Sequence, residues 1–511
     1  MTKYLLGLDA GSTMTKAVLF DFQGNEIGTA RRRNPILFPA PGHTERCPQT
    51  MWRDVGEAIQ EVLQTLAIDA GDIAAVSVSG YGAGLYLVDR HGQAVRPGIM
   101  STDARSTDVL AHWARDGLSQ RNGVRTQQRL WAGQPAGLLH WLARHEPAVV
   151  DATHSVLFCK DYLRAQLCGD LSTDVTDAGV GGLIDVVHAC YPEAFYDELG
   201  LGAWRDKLPR IGACDEVVGK VSAQAAVQTG LRAGTPVVRG MVDVCAAAIA
   251  SGVARPGQLS VIAGTFSINS TLHAAPRLDT LPLLQMAYPV GELFLATEGS
   301  PTSASNFEWY CKSILGPEAV EAAALRGQSI YDVCGERVGQ VLQRPNDILF
   351  LPFLFGGPSG APAGFLGLRA EHDGADVVRA IFEGIVFAHK LDIDALLSGS
   401  DRAQVQSIRL AGGAARSPVW SQMFADVLGL PVEVTQGGEV GARGTAMCAA
   451  VALGLHADFS SAMTHMVRVE RAYQPDPARH AAYARKFERF ALVARTLAPL
   501  WQPAAEPDPA R

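Results

Sequence analysis

Residues 4–21 read YLLGLDAGSTMTKAVLFD and decide the fold. Apolar and β-branched residues over 4–9 and 15–21 predict two strands, and the small polar residues at 10–14 predict a tight turn between them. A turn of this composition presents backbone N–H groups and hydroxyls, which are donors that bind an anion. The stretch therefore predicts a strand–turn–strand unit with a candidate anion site at its turn.

The segments that follow alternate between helix and strand patterns. Apolar residues recur at helical spacing from Met51 to Leu66 and predict an amphipathic helix. Residues 74–79 (AAVSVS) then predict a buried strand that runs into Gly80-Tyr81-Gly82-Ala83-Gly84. Alternation of this kind indicates an α/β architecture.

The pattern of the first turn returns near the middle of the chain. Residues 259–272 read LSVIAGTFSINSTL, which is a strand, a Gly-Thr turn and a second strand. A repeat at this scale indicates two related domains, although two short glycine turns also arise by coincidence. Ala254-Arg255-Pro256-Gly257 reads as a turn, so we predict domains at 1–254 and 255–495, followed by a tail at 496–511 rich in Pro and Ala.

Composition limits the class of protein. The 511-residue chain has 44 basic and 52 acidic residues and a net charge of −8, which gives no general attraction for nucleic acid or an anionic membrane. No run approaches the roughly 18 apolar residues needed to cross a bilayer. The nine cysteines show no CxxC or Cys/His metal spacing, so we expect reduced thiols in a cytoplasmic protein.

The two glycine turns are suited to phosphate. Backbone N–H groups at Gly11-Ser12-Thr13 and Gly264-Thr265 are able to surround phosphate oxygens, and Lys16 supplies a point charge. Asp9, at the end of the first strand, is a candidate ligand for Mg²⁺. On the residues alone, ordinary tight turns explain the same pattern. A P-loop is excluded because no GxxxxGK(S/T) occurs, and the glycine-rich segment at 80–84 has no third glycine at the spacing that a dinucleotide fingerprint requires.

Short motifs continue along nearly the whole chain. They read LGLDAGST (6–13), PGHTE (41–45), GQP (133–135), LHWL (139–142), KDYL (160–163), AGFLG (363–367), DVVRAIFE (376–383) and GGA (412–414). In this order they resemble the FGGY family of carbohydrate kinases, with His43 where the family has Trp and Leu138 where it has Lys. The resemblance implies a two-domain, duplicated actin/hexokinase/Hsp70-like (ribonuclease H-like) α/β fold with a cleft between the domains, and ATP and Mg²⁺ as cofactors.

The resemblance also implies roles for single residues. Asp243, in Gly240-Met241-Val242-Asp243, takes the place of the general base, which accepts the proton of the attacking hydroxyl. The residues themselves leave an alternative, because Asp243 lies between an apolar strand and a run of alanines and so also suits a helix N-cap. Gly412, Gly413 and Ser417 take the places of adenosine-binding residues.

The sugar site is implied by similarity to xylulose kinases. The candidate substrate-binding residues are Tyr81, Gly82, Ala83, Asp103, Arg105 and Asp243. Gly82 and Ala83 stand where many D-xylulose kinases have Met-His, and Val244 replaces Asn, which resembles the L-xylulose kinase branch. Small residues at these places predict a roomy pocket that accepts more than one ketose. For Asp103 and Arg105, a surface salt bridge is the alternative.

These implications lead to one predicted activity. We expect a kinase that transfers the γ-phosphoryl group of MgATP to a ketopentose, giving xylulose 5-phosphate from D- or L-xylulose. Ribulose, erythritol and glycerol kinases are the alternatives within the class. ATP-driven chaperones and filament proteins share the fold, but they lack Asp243 together with the kinase motifs. The expected partner is a small sugar, with neither nucleic acid nor membrane, and a homodimer is one candidate assembly.

Overall fold

The computed structural model describes residues 3–357, 360–397, 402 and 404–501 and divides the chain into two compact units. The first unit contains Met1–Pro256, Leu272–Thr297 and Gln436–Arg468, and the second contains Gly257–Thr271, Glu298–Thr435 and Val469–Arg511. The later part of the chain thus contributes two segments to the first unit. The domain division at residue 254 stays a prediction, and residues 502–511 of the predicted tail lie outside the described residues.

Strands and helices are numbered in chain order. The strands are β1 (Tyr4–Ala10), β2 (Met14–Phe20), β3 (Glu26–Arg33), β4 (Glu45–Arg46), β5 (Ile73–Gly80), β6 (Tyr86–Val88), β7 (Gly98–Ile99), β8 (Ser155–Leu157), β9 (Thr173–Asp174), β10 (Ile211–Gly212), β11 (Val217–Lys220), β12 (Pro236–Val242), β13 (Gln258–Ala263), β14 (Ser267–His273), β15 (Leu284–Tyr288), β16 (Leu293–Ser300), β17 (Leu349–Leu351), β18 (Gly364–Leu366), β19 (Ser407–Gly412), β20 (Val432–Thr435) and β21 (Val469–Tyr473).

The helices alternate with these strands, which confirms the predicted α/β class. They are α1 (Pro48–Thr65), α2 (Thr107–Arg115), α3 (Leu118–Arg125), α4 (Pro135–His145), α5 (Pro147–Ala152), α6 (Cys159–Cys168), α7 (Val175–Val180), α8 (Glu193–Glu198), α9 (Ala223–Thr229), α10 (Asp243–Ala250), α11 (Ser305–Trp309), α12 (Gly316–Ala324), α13 (Ile330–Val341), α14 (Gly374–Leu396), α15 (Pro418–Leu428), α16 (Val440–Ala452), α17 (Phe459–Met466) and α18 (Pro477–Leu497). Within the described ranges, none of them is long and apolar enough to cross a membrane.

A six-stranded sheet forms the centre of the first unit, in the order β11-β12-β5-β1-β2-β3. β1 pairs antiparallel with β2 and parallel with β5, so the first glycine turn closes a hairpin. Helix α1 packs against β2 and β3 with a face that includes the buried residues Met51, Val55 and Ile59. Each such side chain contributes roughly 1.5–3 kcal/mol of burial free energy. The predicted strands at 4–9, 15–21 and 74–79 and the predicted helix are confirmed.

The second unit repeats this connectivity. Five of its strands follow the order β14-β13-β19-β20-β21. β13 pairs antiparallel with β14 and parallel with β19, as β1 pairs with β2 and β5. The second glycine turn closes the β13–β14 hairpin. The repeated connectivity confirms the duplicated fold, and coincidence does not explain it.

Helix α16 belongs to the first unit although it lies near the end of the chain. A Cβ at Gly7 would lie 2.2 Å from the Ala442 carbonyl oxygen, and a Cβ at Gly444 would lie 2.2 Å from the Ala246 carbonyl oxygen. Glycine permits these backbone approaches because it has no side chain. Helix α16 therefore packs closely on both β1 and α10, the elements that position the candidate catalytic carboxylates.

Candidate active site

The first glycine turn joins two strands at a charged pair. Asp9 lies opposite Lys16 in the β1–β2 register, with its carboxyl oxygen 3.7 Å from Lys16 Nζ. The same Nζ lies 2.7 Å from a carboxyl oxygen of Glu439. Ser79 Oγ donates to Asp9 Oδ1 at 2.9 Å. Lys16, predicted to contact phosphate, is therefore already paired with two carboxylates.

Hydrogen bonds from Asn34 to two carbonyl oxygens hold the first glycine turn in place. Asn34 Nδ2 donates to the Gly11 carbonyl oxygen at 2.7 Å, and the Asn34 backbone N–H donates to the Thr13 carbonyl oxygen at 3.0 Å. Gly11 and Ser12 are half-buried and Thr13 is exposed. The turn is thus fixed from one side, and its contact with phosphate stays a prediction.

Burial and charge together set the protonation of the Asp9 cluster. Removal from solvent raises the pKa of Asp9 above its ordinary value, against the opposing effect of Lys16. Burial acts to lower the pKa of Lys16, but Asp9 and Glu439 outweigh it and the pKa is raised. Burial acts to raise the pKa of Glu439, but Lys16 and Arg31 outweigh it and the pKa is lowered. A further cation beside Asp9 would therefore favour its ionised form.

Asp9 is a suitable ligand for Mg²⁺ shared with phosphate. In the part of the chain that the structure describes, no group of three or more His, Cys, Asp or Glu side chains could hold a metal alone. Mg²⁺ does not need such a group, because it commonly takes one or two carboxylates together with water and phosphate oxygens. A Cβ at Gly441 would lie 2.7 Å from the Asp9 carboxyl group, so glycine leaves that space free. These residues fit a metal held jointly by Asp9 and a nucleotide.

Sequence reasoning missed Glu439. Its carboxylate, just before α16, binds both Lys16 and Arg31, at 2.7 and 2.6 Å. Its backbone N–H donates to the Glu26 side chain at 2.9 Å, which holds the segment beside β3. The run Gly441-Ala442-Arg443-Gly444 could have indicated this segment, since two glycines three residues apart on a helix predict that another backbone segment packs closely against it. It does not identify that neighbour.

Asp243 is the first residue of α10 and directly follows β12. The pairing of β12 with β5 shifts register around Gly240, which has φ of +78°. A Cβ at Gly240 would lie 2.0 Å from the Val78 carbonyl oxygen. This bulge redirects the end of β12 and fixes where Asp243 leaves the sheet. Val242 occupies the N-cap position, so the alternative of Asp243 as the helix N-cap is wrong.

The environment of Asp243 suits a proton acceptor. Burial raises the pKa of Asp243 to about 7, and the negative charge of Asp9 adds to the effect. A general base is most effective when its pKa lies near the working pH. The first unit thus contains Asp243 with its raised pKa, the candidate metal ligand Asp9 and the first glycine turn.

The segment Tyr81-Gly82-Ala83 follows β5. The Tyr81 hydroxyl lies 2.8 Å from the Tyr86 hydroxyl in the interior. A Cβ at Gly82 would lie 2.4 Å from Val180 Cγ1 and 3.0 Å from Val242 Cγ2. The expectation that Gly82 leaves room for substrate is therefore wrong, because the two valines fill the space. Ala83 is buried with φ of +60°, and sugar contacts of this segment stay predictions.

Asp103 and Arg105 form a buried ion pair. Arg105 Nε lies 2.8 Å from Asp103 Oδ1, with side-chain exposures of 1% and 0%. Glu45 accepts from the same guanidinium at 2.7 Å, and the Thr44 N–H donates to Asp103 at 2.6 Å. The alternative of a surface salt bridge is wrong. Because each Asp103 oxygen already accepts two hydrogen bonds, its role toward a sugar stays a prediction.

The second glycine turn lies between β13 and β14 of the second unit. Gly412, at the end of β19, has φ of +89°, and a Cβ there would lie 2.5 Å from the Ala263 carbonyl oxygen. Gly412 therefore packs against the strand end that leads into Gly264-Thr265. Ser417 caps α15, with its Oγ accepting from the Trp420 N–H at 3.3 Å. Contact of these residues with a nucleotide stays a prediction.

Comparison with known proteins agrees with this geometry. L-xylulose/3-keto-L-gulonate kinase of Escherichia coli (strain K12) is 32% identical over 96% of this chain and 96% of its own length. Autoinducer-2 kinase of Enterobacter sp. (strain 638) is 28% identical over 96% of this chain and 94% of its own length. The solved structure of xylulose kinase from Rhodospirillum rubrum is 27% identical, with a TM-score of 0.83, over 98% of this chain and 100% of that chain.

Two family models cover most of the sequence. The FGGY family of carbohydrate kinases, N-terminal domain, matches residues 4–250, and the C-terminal domain of the same family matches residues 259–453. Together with the fold match to a xylulose kinase, they confirm the two-domain α/β fold of the actin/hexokinase type. The chain belongs to the FGGY family of carbohydrate kinases.

Proposed function

We propose that the chain is an ATP-dependent ketopentose kinase that converts xylulose to xylulose 5-phosphate. The observation that carries the proposal is Asp243, a carboxyl group with a pKa of about 7 at a fixed strand–helix junction. Kinases of this family use ATP as the phosphate donor. Xylulose is supported by the L-xylulose/3-keto-L-gulonate kinase and the xylulose kinase that match nearly the whole chain.

Asp243 accepts the proton of the sugar in this reaction. The terminal hydroxyl oxygen of the ketose forms a bond to the γ-phosphorus, and the bond to the β–γ bridging oxygen breaks. The hydroxyl proton passes to the Asp243 carboxylate, and ADP leaves with the electron pair. A positioned base contributes about 10²–10⁴-fold to such a step.

The remaining site residues position the phosphates. Mg²⁺, when bound, supplies positive charge that neutralises the phosphate oxygens, and Asp9 is the residue that would hold it. Backbone N–H groups at Gly11-Ser12-Thr13 and at Gly264-Thr265 donate to phosphate, and Gly412, Gly413 and Ser417 contact the adenosine. Because ATP is the donor, we place the reaction in the cytoplasm. A homodimer stays a prediction.

A coupled ADP-release assay across a sugar panel tests the proposal. The panel contains D-xylulose, L-xylulose, ribulose, erythritol, glycerol, 3-keto-L-gulonate and autoinducer-2, with a control that lacks sugar. We expect one of the xyluloses to give a kcat/KM at least about tenfold above ribulose, erythritol and glycerol. Phosphorus NMR of the product should place the phosphate on carbon 5. ATP turnover that needs no sugar, or that never uses a ketopentose, contradicts the proposal.

The relatives support a second candidate within the same chemistry. The match to an autoinducer-2 kinase covers 96% of this chain, so a related hydroxyketone is an alternative acceptor. The panel separates the two, since the second candidate requires autoinducer-2 to exceed both xyluloses in kcat/KM. Asp243 would act as the base in either case.

A further inference from the structure

An arginine beside the first glycine turn forms no ion pair with the carboxylates of the described residues. Arg46, in β4, is 1% exposed, and its side chain reaches the turn from behind. We propose that Arg46 is a fixed cation for a phosphate group bound at Gly11-Ser12-Thr13, and that this phosphate provides its missing counter-charge. The inference rests on the proposed phosphate-binding role of that turn.

Every acceptor of the Arg46 guanidinium is neutral. Nη1 donates to the Gly11 carbonyl oxygen at 3.4 Å. Nη2 donates to Thr15 Oγ1 at 3.0 Å and to the side-chain oxygen of Asn34. Nε is buried and finds no hydrogen-bond partner among the described residues. The carboxylates of the described ranges make no ion pair with Arg46 within 4.0 Å.

Three ionisable groups that interact electrostatically with Arg46 are uncharged near neutral pH. They are Tyr81, Tyr86 and Cys159. Burial raises the pKa of Cys159 to about 12 and raises the pKa values of both tyrosines above their ordinary values. A buried cation without a partner is unfavourable in the folded protein. An anion bound at the turn reduces that penalty, so the buried charge of Arg46 favours phosphate binding.

Two other cations of the first unit show the contrast. Lys16 is paired with two carboxylates, and Arg164 lies 2.9 Å from Asp161. Their charges are balanced before any ligand arrives. The sequence predicted Lys16 as the point charge for phosphate. Of these three cations, the structure favours Arg46 for that task, because its hydrogen bonds go only to neutral acceptors.

The contact with Gly11 also orients the turn. Asn34 Nδ2 and Arg46 Nη1 both donate to the Gly11 carbonyl oxygen. The peptide bonds of the described chain are trans, so the Ser12 N–H points opposite to that carbonyl. The contact with the Gly11 carbonyl therefore directs the Ser12 N–H away from the guanidinium, where it is free of that contact and able to donate to an anion. Arg46 acts as a positioning residue as well as a charge.

Two substitutions separate the charge of Arg46 from its packing. Arg46→Gln removes the charge, and Arg46→Lys keeps it. Binding of tripolyphosphate and of MgATP is measured by calorimetry without any sugar. We expect Arg46→Gln to raise both Kd values about 10- to 100-fold and Arg46→Lys to recover most of the loss. The ligand-free Tm of Arg46→Gln should be no lower than that of the wild type, because an unpaired buried cation is gone.

Arg164→Gln is the matched control, since Arg164 is a fully buried arginine with carboxylate partners. It should lower the Tm and leave the Kd of tripolyphosphate unchanged. The proposal is overturned if Arg46→Gln binds tripolyphosphate with the wild-type Kd, or if the wild type itself binds no tripolyphosphate. It is also overturned if Arg46→Gln lowers the Tm as much as Arg164→Gln does and Arg46→Lys does not restore tripolyphosphate binding.

If Arg46→Gln does not fold, the test rests on Arg46→Lys. Arg46→Lys alone then decides, because retained tripolyphosphate binding supports the proposal and complete loss overturns it. Failure of the proposed function looks different from either result. It would appear as absent ketopentose turnover in a wild-type protein that binds MgATP normally.

Discussion

The two glycine turns have the same strand–turn–strand frame but different surroundings. The first turn follows Asp9, faces Lys16 across its hairpin and rests on Arg46. At the second turn, Ser305 Oγ donates to the Thr265 carbonyl oxygen at 2.9 Å, and Ser267, directly after the turn, donates to the Asp392 carboxylate at 2.9 Å. In the proposed reaction, the charged groups beside the first turn would therefore carry the proton and metal chemistry. The second turn would supply backbone N–H groups to the nucleotide.

Substitutions at the two turns should therefore affect different measurements. Changes around the first turn should lower kcat, because Asp243 and Asp9 act on the reacting groups in the proposed mechanism. Changes around the second turn should alter nucleotide affinity and stability, because Gly412 fixes a backbone approach. The following predictions test this contrast in order of decreasing expected effect.

Asp243→Ala should give the largest effect, a loss of about 10²–10⁴-fold in kcat, because the hydroxyl loses its proton acceptor. MgATP binding should persist, since the proposed phosphate contacts lie at the glycine turns. Steady-state kinetics with calorimetry measures both. Asp151→Ala, which removes an exposed carboxylate on α5, should keep the wild-type kcat. Near-normal turnover of Asp243→Ala would show that Asp243 is not the general base.

Asp9→Asn should lower kcat at least about tenfold and raise the Mg²⁺ concentration required, because the charge proposed to hold the metal is removed. Metal titrations of ADP release measure the shift. If the titration curves of the wild type and the variant superimpose, Asp9 has only a structural role.

Gly412→Ala should raise the KM for ATP and lower the free energy of unfolding by roughly 1–3 kcal/mol. The cause is a Cβ 2.5 Å from the Ala263 carbonyl oxygen at a residue with φ of +89°. Gly413→Ala is the matched control, because its φ is −61° and its Cβ would lie no closer than 3.7 Å to a neighbour. Urea unfolding should find the control within about 0.5 kcal/mol of the wild type. Equal losses in both variants would contradict this account of the second turn.

Val244→Asn should give the smallest effect, a changed ratio of kcat/KM between D- and L-xylulose. Val244 is 8% exposed beside Asp243 and cannot donate to a sugar hydroxyl, whereas asparagine can. Wild-type protein should accept at least two ketoses with kcat/KM values within about 10²-fold. Use of a single ketose, with every other more than about 10⁴-fold worse, would contradict this view of the pocket.

Local sequence patterns predicted the elements that depend on neighbouring residues. The strands around residues 10–14 and 264–266 and the helix after Pro48 follow from periodicity and turn composition. The same kind of pattern, an apolar strand before a run of alanines, predicted that Asp243 lies at a strand–helix junction. These features are set by a few consecutive residues, so a single sequence is enough to find them.

Contacts between distant segments could not be predicted. Glu439 binds Arg31 across 408 positions of the chain and also balances the charge of Lys16. Val180 fills the space beside Gly82, so a small residue did not mean an open pocket. Arg46 donates only to neutral acceptors, because no carboxylate of the described residues lies within ion-pair distance of it. Each of these depends on tertiary packing, which local patterns do not specify.

The pH dependence of kcat/KM for the sugar tests the central claim most directly, because it reports the ionisation of the base. Burial raises the pKa of Asp243 to about 7, and only the ionised carboxylate accepts a proton. Activity should therefore reach a plateau above about pH 7 and fall about tenfold for each unit below it. Residual activity of Asp243→Asn should lack this dependence. A flat wild-type profile between about pH 5.5 and 8, or the same profile in Asp243→Asn, would contradict the account.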